Sequence, residues 1–331
     1  MKVLITGITG MAGSHMAEYL TALGRYEVHG TYRWRSNREN IAGVEKDITL
    51  HECELRDPYA VIRLMKSIRP DFVYHFAAQS SVASSWGSPQ DTLINNTTVQ
   101  MNVFEALRLL DMADTRVLVT GSSEEYGLVY KDELPVNELN PLRPMSPYGV
   151  SKITQSALAF QYFQNYGFQI VRTRTFNHTG PRRSETFATS NFAKQLVEIE
   201  LKKREPVINV GNLDAKRDFS DIRDIVKAYH LAMLKGQPGE VYNLGSDQSI
   251  SIRDVLDMLI DISGYAVELK TDPERLRPSD VAELRCDSSK FRKLTGWDPE
   301  IPLRETLKDL LFYWHEKMSK HSYHYTGVEV N

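Results

Sequence analysis

The sequence has few cysteines, no excess of basic residues and no long apolar run. Its two cysteines, Cys53 and Cys286, lie far apart without metal-ligand spacing, and its nine histidines form no ligand cluster. A disulfide framework and a metal site are therefore not expected, and a reducing compartment, the cytoplasm, is predicted. A net charge of -3 and a pI near 6.3 argue against a nucleic-acid or anionic-membrane surface. No charged segment precedes a long apolar stretch, so neither a signal peptide nor a membrane span is expected.

What the sequence does contain is an alternation of short, β-branched apolar runs with amphipathic stretches. This alternation predicts an α/β fold in which a parallel sheet carries helices on both faces. The predicted helices are Gly13–Leu23, Pro58–Ser67, Asn95–Leu110 and Tyr148–Tyr166. The predicted strands are Lys2–Thr6, Glu27–Arg33, Ile48–Glu54, Asp71–Phe76, Arg116–Gly121, Phe168–Thr175 and Glu240–Leu244.

A glycine-rich loop follows the first predicted strand and opens the first helix. Glycines at 7, 10 and 13 allow a tight turn, close approach to a pyrophosphate, and packing of the helix on the strand. The helix N-terminus adds free N–H groups for phosphate. We therefore predict a Rossmann-type dinucleotide site that includes Gly7, Thr9, Gly10, Met11 and Gly13. A simple strand-to-helix turn is the alternative.

The end of the second predicted strand carries arginines where an NAD-binding protein usually places an acidic residue. Arg33, Arg35 and Arg38 follow this strand, and guanidinium groups match the geometry and charge of a 2′-phosphate. NADP is therefore the predicted cofactor, with Arg33 and Arg35 as its ligands. A solvated basic loop is the alternative interpretation.

Tyr148 and Lys152 are the most informative pair in the sequence. Their i, i+4 spacing places both side chains on one helix face. An ammonium near a phenol favours phenolate, so we expect Lys152 to lower the pKa of Tyr148 and to make it a proton acceptor during hydride transfer. A chance Tyr-x-x-x-Lys pair is the alternative.

A hydroxyl and two acids follow the fifth predicted strand, at the sheet edge where ligands of open α/β folds bind. Ser122 can bridge the tyrosine and a substrate oxygen. Glu124 or Glu125 could reach a carbon acid beside a ketone. An exposed loop acid is the alternative for either glutamate.

With these residues, nearly the whole chain resembles the extended short-chain dehydrogenase/reductase superfamily, and within it the GDP-mannose 4,6-dehydratases. Besides the opening loop, six strings carry the resemblance: Ala78–Val82, Phe176–His178, Pro181–Phe187, Gly211–Asp218, Arg277–Val281 and Gly296–Pro299.

The resemblance implies a redox-neutral dehydration of a GDP-hexose with tightly held NADP. Tyr148 would accept the C4 hydroxyl proton, Lys152 would hold the nicotinamide ribose, Glu124 would remove the C5 proton, and Ser122 would assist. Further cofactor-binding residues are then Glu54, Leu55, Ala77, Ala78, Gln79, His178 and Arg183. The substrate-binding residues would be Ser81, Asn177, Lys194, Gly211, Arg217, Arg277 and Asp280.

The alternation of strands and helices changes after about Thr175, where polar, turn-rich segments begin, and this change predicts how the chain is divided. Residues 1–175 would form the NADP-binding Rossmann domain, with a returning part near 218–248. Residues 176–217 and 249–331 would form a smaller, mainly helical substrate lobe. A homodimer or a homotetramer is expected, and the segment Arg33–Asn40, which is shorter than the dehydratase loop that often joins subunits, favours the dimer.

The sequence leaves three other functions open. A GDP-4-keto-6-deoxymannose reductase can carry the same Gly121–Gly127 string, although Pro181–Phe187 and the arginines after the second strand favour the dehydratase. A hexose 4-epimerase would leave Glu124 without a task. A non-catalytic NADP-binding regulator is disfavoured by the intact Ser122, Tyr148 and Lys152.

Overall fold

The computed structural model describes residues 1–275 and 281–320, in which strands and helices alternate. The strands are β1 (Lys2–Thr6), β2 (Glu27–Tyr32), β3 (Thr49–Glu52), β4 (Phe72–His75), β5 (Arg116–Ser122), β6 (Gln169–Thr175), β7 (Asn177–Thr179), β8 (Val207–Val210), β9 (Lys216–Asp221), β10 (Val241–Leu244), β11 (Ser249–Ser251), β12 (Glu268–Thr271) and β13 (Glu283–Leu284). The helices are α1 (Met11–Ala22), α2 (Pro58–Ile68), α3 (Val82–Gly87), α4 (Pro89–Leu109), α5 (Pro147–Tyr166), α6 (Ala188–Glu200), α7 (Ile222–Lys235), α8 (Ile252–Ser263), α9 (Ser289–Thr295) and α10 (Leu303–Lys320).

The main sheet consists of the seven predicted strands. They pair in parallel in the order β10-β6-β5-β4-β1-β2-β3. Strands β2 and β3 lie on one side of β1, and β4 with the later strands lies on the other, so the strand order reverses after β3. This is the doubly wound arrangement that we predicted, and its ligand site is expected at the carboxyl ends of the strands near that reversal. Of the four predicted helices, α4 differs most. It begins at Pro89 rather than at Asn95, because proline is well suited to the first turn of a helix.

Both faces of the main sheet are buried, which explains its continuous apolar strands. On β1, Val3 and Ile5 pack into one core cluster, together with side chains of α1 and α7. Leu4 points to the opposite face and packs with side chains of α2 and α4. Successive side chains of a strand point to opposite faces, so each strand contributes to two separate cores.

A smaller lobe has a core of its own, made by α6, α8 and α10 together with residues of β8 and β9. Two small sheets add to it. One joins β7, β9, β11 and β13, and the other pairs β8 with β12. These strands have two to six residues, too few for a clear alternating pattern in the sequence.

Helix α7 and strand β10 follow the first part of the smaller lobe in sequence, but they pack with the main sheet. Helix α7 packs against the core that α1 covers, and β10 pairs with β6 at the sheet edge. The division of the chain into the two domain ranges given above stays a prediction. Among the described helices, none combines the length and apolar character that crossing a membrane requires.

Candidate active site

A cavity of about 1050 Å³ opens at the carboxyl ends of the main-sheet strands and extends to the smaller lobe. The glycine-rich loop lines one part of it, and Ser122, Glu124, Tyr148 and Lys152 line another. The cavity therefore brings together the predicted dinucleotide site and the predicted catalytic residues in one space large enough for two ligands.

The glycine-rich loop has the geometry that a dinucleotide requires. Gly7 has a positive φ of 70°, which favours glycine. A Cβ on Gly13 would lie 2.4 Å from the carbonyl oxygen of Gly7, so the loop leaves no space for a side chain there. No side chain caps the N-terminus of α1 in the described part of the chain. Its first-turn N–H groups can therefore bind phosphate, and the residues present fit the cofactor.

At the end of β2, the structure separates the arginines. Arg33 lines the main cavity together with Ser36, whose Oγ accepts a hydrogen bond from the Arg33 N–H at 3.1 Å. Arg35 lies instead over the Trp34 ring, 4.2 Å from its centroid, and lines an adjoining cavity of about 500 Å³. Arg38 forms an ion pair with Glu45 at 2.8 Å. Arg33 is thus the arginine of this segment that faces the main cavity.

Two predicted cofactor residues lie after β3, beside an arginine that the sequence did not indicate as a cavity residue. Glu54 and Leu55 line the cavity, and Arg56 lines it beside them. The Arg56 Nε lies 3.3 Å from the Glu54 carboxylate. A single arginine after an acid carries no signal in one sequence, and only the fold shows that Arg56 lines the same cavity as Arg33.

Helix α5 positions the catalytic pair. Ser146 caps the helix by accepting a hydrogen bond from the Gly149 N–H at 3.0 Å, and Pro147 occupies the first turn. Tyr148 and Lys152 follow one turn apart and are both buried. Tyr148 is hydrogen-bonded to the Ser122 side chain. Lys152 donates from Nζ to the carbonyl oxygen of Thr120 at 2.9 Å.

The electrostatics of this pair differ from the sequence expectation. Burial raises the pKa of Tyr148, and the hydrogen bond with Ser122 acts against that rise. Burial also lowers the pKa of Lys152 to about 8, and the charge of Glu125 opposes this shift. The Lys152 Nζ lies 5.8 Å from the centroid of the Tyr148 ring. Desolvation therefore outweighs the effect of the ammonium on the phenol.

The two acids after β5 lie in different environments. Glu124 lines the cavity, its N–H donates to Ser122 Oγ at 3.2 Å, and its charge contributes to raising the pKa of Tyr148. Glu125 is fully buried behind the strand and pairs with Arg174 at 2.9 Å. The structure thus places Glu124, and not Glu125, where it can reach a substrate.

The loop after β4 is held against α5 by Asn96. Asn96 Oδ1 accepts a hydrogen bond from the Gln79 N–H at 2.7 Å, and Asn96 Nδ2 donates to Ser151 Oγ at 2.9 Å. The predicted cofactor residues Ala77, Ala78 and Gln79 and the predicted substrate residue Ser81 all line the cavity. The contact fixes this loop to the helix that carries Tyr148.

His178 and Arg183 line the cavity close to Tyr148. Burial and the charge of Arg183 lower the pKa of His178 to about 3, so this imidazole is neutral. Arg183 lies over the Phe187 ring, 3.4 Å from its centroid, and burial lowers its pKa to about 10. Its charge also acts to lower the pKa of Tyr148.

The segment that carries Arg183 is fastened to α1. The neighbouring Arg182 donates to Glu18 and, at 3.2 Å, to Ser14 Oγ, while His15 is hydrogen-bonded to the Pro181 carbonyl oxygen at 3.2 Å. The helix that begins at the glycine-rich loop thus also holds the arginine near Tyr148.

The predicted substrate residues are only partly brought together. Asn177, Gly211 and Arg217 line the cavity on the side of the smaller lobe. Lys194 does not line it, because its Nζ is held by ion pairs with Glu185 and Glu198. Arg277 and Asp280 lie outside the described residues. Lining residues that the sequence analysis did not identify include Thr186, Phe187, Asn191, Arg275 and Tyr229.

This sheet and the pairing of Ser122 and Tyr148 beside Lys152 place the protein among the extended short-chain dehydrogenases/reductases, as its sequence motifs indicated. Residues 4–310 match the model of one family in that class, described as GDP-mannose 4,6 dehydratase. The chain belongs to this family.

Curated relatives of two activities are similar over almost the full chain. A GDP-6-deoxy-D-mannose reductase of Pseudomonas aeruginosa is 29% identical and covers 96% of this chain and 98% of its own length. A GDP-mannose 4,6-dehydratase of Yersinia enterocolitica is 32% identical and covers 94% of this chain and 92% of its own length.

Solved structures of the same fold contain nicotinamide cofactors. The structure of RMD from Pseudomonas aeruginosa with NADPH has a TM-score of 0.84 and 27% identity, covering 96% of this chain and 99% of that chain. A UDP-glucose 4-epimerase of Thermus thermophilus with NAD has a TM-score of 0.84 and 28% identity, covering 95% and 99%.

Proposed function

We propose that this protein is a GDP-mannose 4,6-dehydratase that forms GDP-4-keto-6-deoxymannose. The observation that carries the proposal is the position of Glu124, in the cavity and beside Ser122 and Tyr148. An elimination needs a base for C5 that is separate from the group handling the C4 hydroxyl, and Glu124 supplies a second acid–base group at this place. An epimerase would have no use for it.

Each residue then has a distinct task. Tyr148 takes the proton of the C4 hydroxyl as the C4 hydride leaves, and Ser122 holds the same oxygen. A nicotinamide bound in this cavity would supply the redox chemistry, as acceptor of the C4 hydride and as donor of that hydride to C6. Glu124 removes the C5 proton that the new C4 ketone has acidified. The C6 hydroxyl leaves with a proton, as water, and a proton returns to C5 when hydride reaches C6, so that substrate and product differ by one water.

The cofactor is proposed to be NADP, because Arg33 faces the main cavity at the end of β2. We expect Arg33→Ala to weaken NADP binding about 30-fold, which corresponds to roughly 2 kcal/mol for a charge-assisted contact with the 2′-phosphate. NAD binding should change little, because NAD lacks that phosphate. Titration of both cofactors by calorimetry measures the ratio.

Arg38→Ala is the matched control for this change. Arg38 belongs to the same segment but pairs with Glu45 instead of lining the cavity. Equal losses of NADP affinity in the two variants would contradict the assignment to Arg33.

A GDP-4-keto-6-deoxymannose reductase is the second candidate. It is favoured by the nearly full-length similarity to the reductase of Pseudomonas aeruginosa. A reductase also uses Tyr148, as a proton donor to the C4 oxygen, but it consumes external NADPH and needs no base at C5.

One incubation distinguishes the two reactions. The purified protein is given GDP-mannose without reductant, and products are followed by mass spectrometry. A dehydratase converts GDP-mannose to a product that is lighter by one water, with no net consumption of NADPH. Unchanged GDP-mannose, together with NADPH-dependent gain of two hydrogens by GDP-4-keto-6-deoxymannose, would move the assignment to the reductase.

We also propose a homodimer in the cytoplasm, with the outer face of α4 and α5 as the interface. The two helices lie side by side, and their exposed side chains include Leu109, Phe160 and Tyr166. Burying such a patch between two copies removes apolar surface from water. Light scattering should give twice the chain mass of 37.8 kDa, and a monomer mass would contradict the proposal.

A further inference from the structure

Glu125 is a fully buried acid directly behind the catalytic residues, and the mechanism above gives it no task. One carboxylate oxygen accepts a hydrogen bond from the Ser122 N–H at 2.9 Å. The other accepts from the Arg174 Nε at 2.9 Å. The carboxylate is therefore attached to the backbone of a catalytic residue on one side and to a guanidinium on the other.

The backbone of β5 makes room for this carboxylate. Residue 121 is a glycine, and a Cβ there would lie 2.2 Å from Glu125 Oε1. The carboxylate thus packs against the bare backbone at the strand end, next to Thr120, whose carbonyl oxygen accepts from Lys152. It lies close enough to influence Lys152, since each of the two groups shifts the pKa of the other.

The contacts indicate that Glu125 is ionised. Both of its oxygens face N–H donors, so a carboxyl proton would meet Ser122 N–H or Arg174 rather than an acceptor. Burial raises the pKa of Glu125, and the charge of Arg174 acts against that rise. Unpaired, the charge would be very costly to bury, and the guanidinium offsets that cost.

The other groups around Lys152 do not supply a negative charge at this position. His75 on β4 is neutral, because burial and the charge of Lys152 lower its pKa to about 3. Burial raises the pKa of Tyr148 on the same helix, which disfavours a negative charge on its phenol. On β6, Arg172 and Arg174 are cations that themselves interact with Glu125.

Glu124, the other acid of the turn, lies on the cavity side and acts on Tyr148. Within the described residues, Glu125 is therefore the anion that acts on Lys152.

We propose that Glu125 is a positioning residue of the reaction, acting as the counter-ion of the Lys152 ammonium and as the anchor of the Ser122 backbone. The hydrogen bond fixes the backbone of Ser122, whose hydroxyl shares the C4 oxygen, and the negative charge stabilises the Lys152 ammonium, the cation that favours phenolate. Glu125 itself does not touch the substrate. The catalytic part of this proposal rests on the chemistry of Tyr148 and Lys152 proposed above.

The direct test is the titration of Lys152 in protein labelled with ¹³C at the lysine Cε atoms, with NADP bound. The Lys152 signal is identified by its absence from Lys152→Arg. Removing a nearby anion disfavours the ammonium, so Glu125→Gln should lower the midpoint of this signal by about one pH unit. An unchanged midpoint in the folded variant would overturn the proposal.

Two further variants guard against a merely structural effect. Glu125→Gln leaves Arg174 buried without its anion, which destabilises the fold. The double variant Glu125→Gln with Arg174→Met removes both charges, and proteins often tolerate such a replacement of a buried ion pair. This double variant should also lower the Lys152 midpoint. Arg174→Met alone leaves the buried carboxylate without its guanidinium and favours the protonated acid, so a lowered Lys152 midpoint is expected there as well.

Glu138→Gln is the matched control, because Glu138 accepts from the Asn243 N–H within the same buried region and does not contact Ser122. It should leave the titration unchanged.

The pH dependence of kcat provides the functional readout. The limb at high pH, where Lys152 loses its proton, should move toward lower pH in Glu125→Gln and stay in place in Glu138→Gln, while KM changes little. If the wild-type protein turns over neither GDP-mannose nor the 4-keto sugar, the proposed function fails. The Lys152 titration still decides the role of Glu125 in that case.

Discussion

Tyr148→Phe should lower kcat about 1,000-fold, which is in the range expected for the loss of a positioned acid–base group. The phenol is buried, hydrogen-bonded to Ser122, and lies at the cavity that the cofactor and sugar would share. Phenylalanine keeps the ring and its packing but cannot accept the C4 proton. We expect NADP and GDP-mannose to bind within a few-fold of the wild-type affinities, measured by calorimetry beside steady-state rates.

Tyr229→Phe is the appropriate comparison. Tyr229 lines the same cavity, but its hydroxyl is hydrogen-bonded to Thr175 Oγ1 at 2.9 Å. Its loss should cost less than about tenfold in kcat, in line with removal of one neutral hydrogen bond. A Tyr148→Phe variant with near-normal turnover would show that the proton of the C4 hydroxyl leaves by another route.

Glu124→Gln should stop dehydration while sparing the first hydride transfer. Glutamine keeps the size of the side chain, but its amide cannot take the C5 proton, so we expect water loss to fall at least about 100-fold. With GDP-mannose, the variant should accumulate enzyme-bound NADPH, because C4 is oxidised and the hydride is not returned. Absorbance at the NADPH band and exchange of the C5 hydrogen with deuterated water follow the two steps separately.

A reductase would respond to Glu124→Gln in the opposite way. If the protein reduces the 4-keto sugar, C5 is never deprotonated, and Glu124→Gln should retain reductase activity within about tenfold of the wild type. Near-normal dehydration by the variant would instead remove Glu124 from the mechanism and require another base in the cavity.

The sheet could be predicted from the sequence because its strands carry strong local signals. Apolar β-branched runs such as Phe72–His75 need burial on both faces, and the helices between them impose parallel pairing. The glycine-rich loop and the Tyr148–Lys152 pair have fixed spacing within single elements. Local geometry alone therefore places them correctly.

Features that depend on contacts between distant segments could not be predicted in the same way. The separation of Glu124 from Glu125 results from the 3₁₀ turn at Ser123–Glu125 and from Arg174, which lies on another strand. Arg56 faces the cavity because of the strand order. Lys194 matched a family position in sequence, but its ion pair with Glu185 holds it outside the cavity.

The close contact between Gly121 and Glu125 also restricts how this sequence can diverge. Any side chain at position 121 would occupy the space of the Glu125 carboxylate, which leaves a bare backbone as the sole compatible neighbour of that acid. A Cβ there would also lie 2.3 Å from the backbone carbonyl oxygen of Thr173 on the neighbouring strand, so the loss of Glu125 alone would not make room for alanine or serine. Glycine is therefore expected to persist at position 121 among descendants of a common ancestor, including those that replace the glutamate at 125.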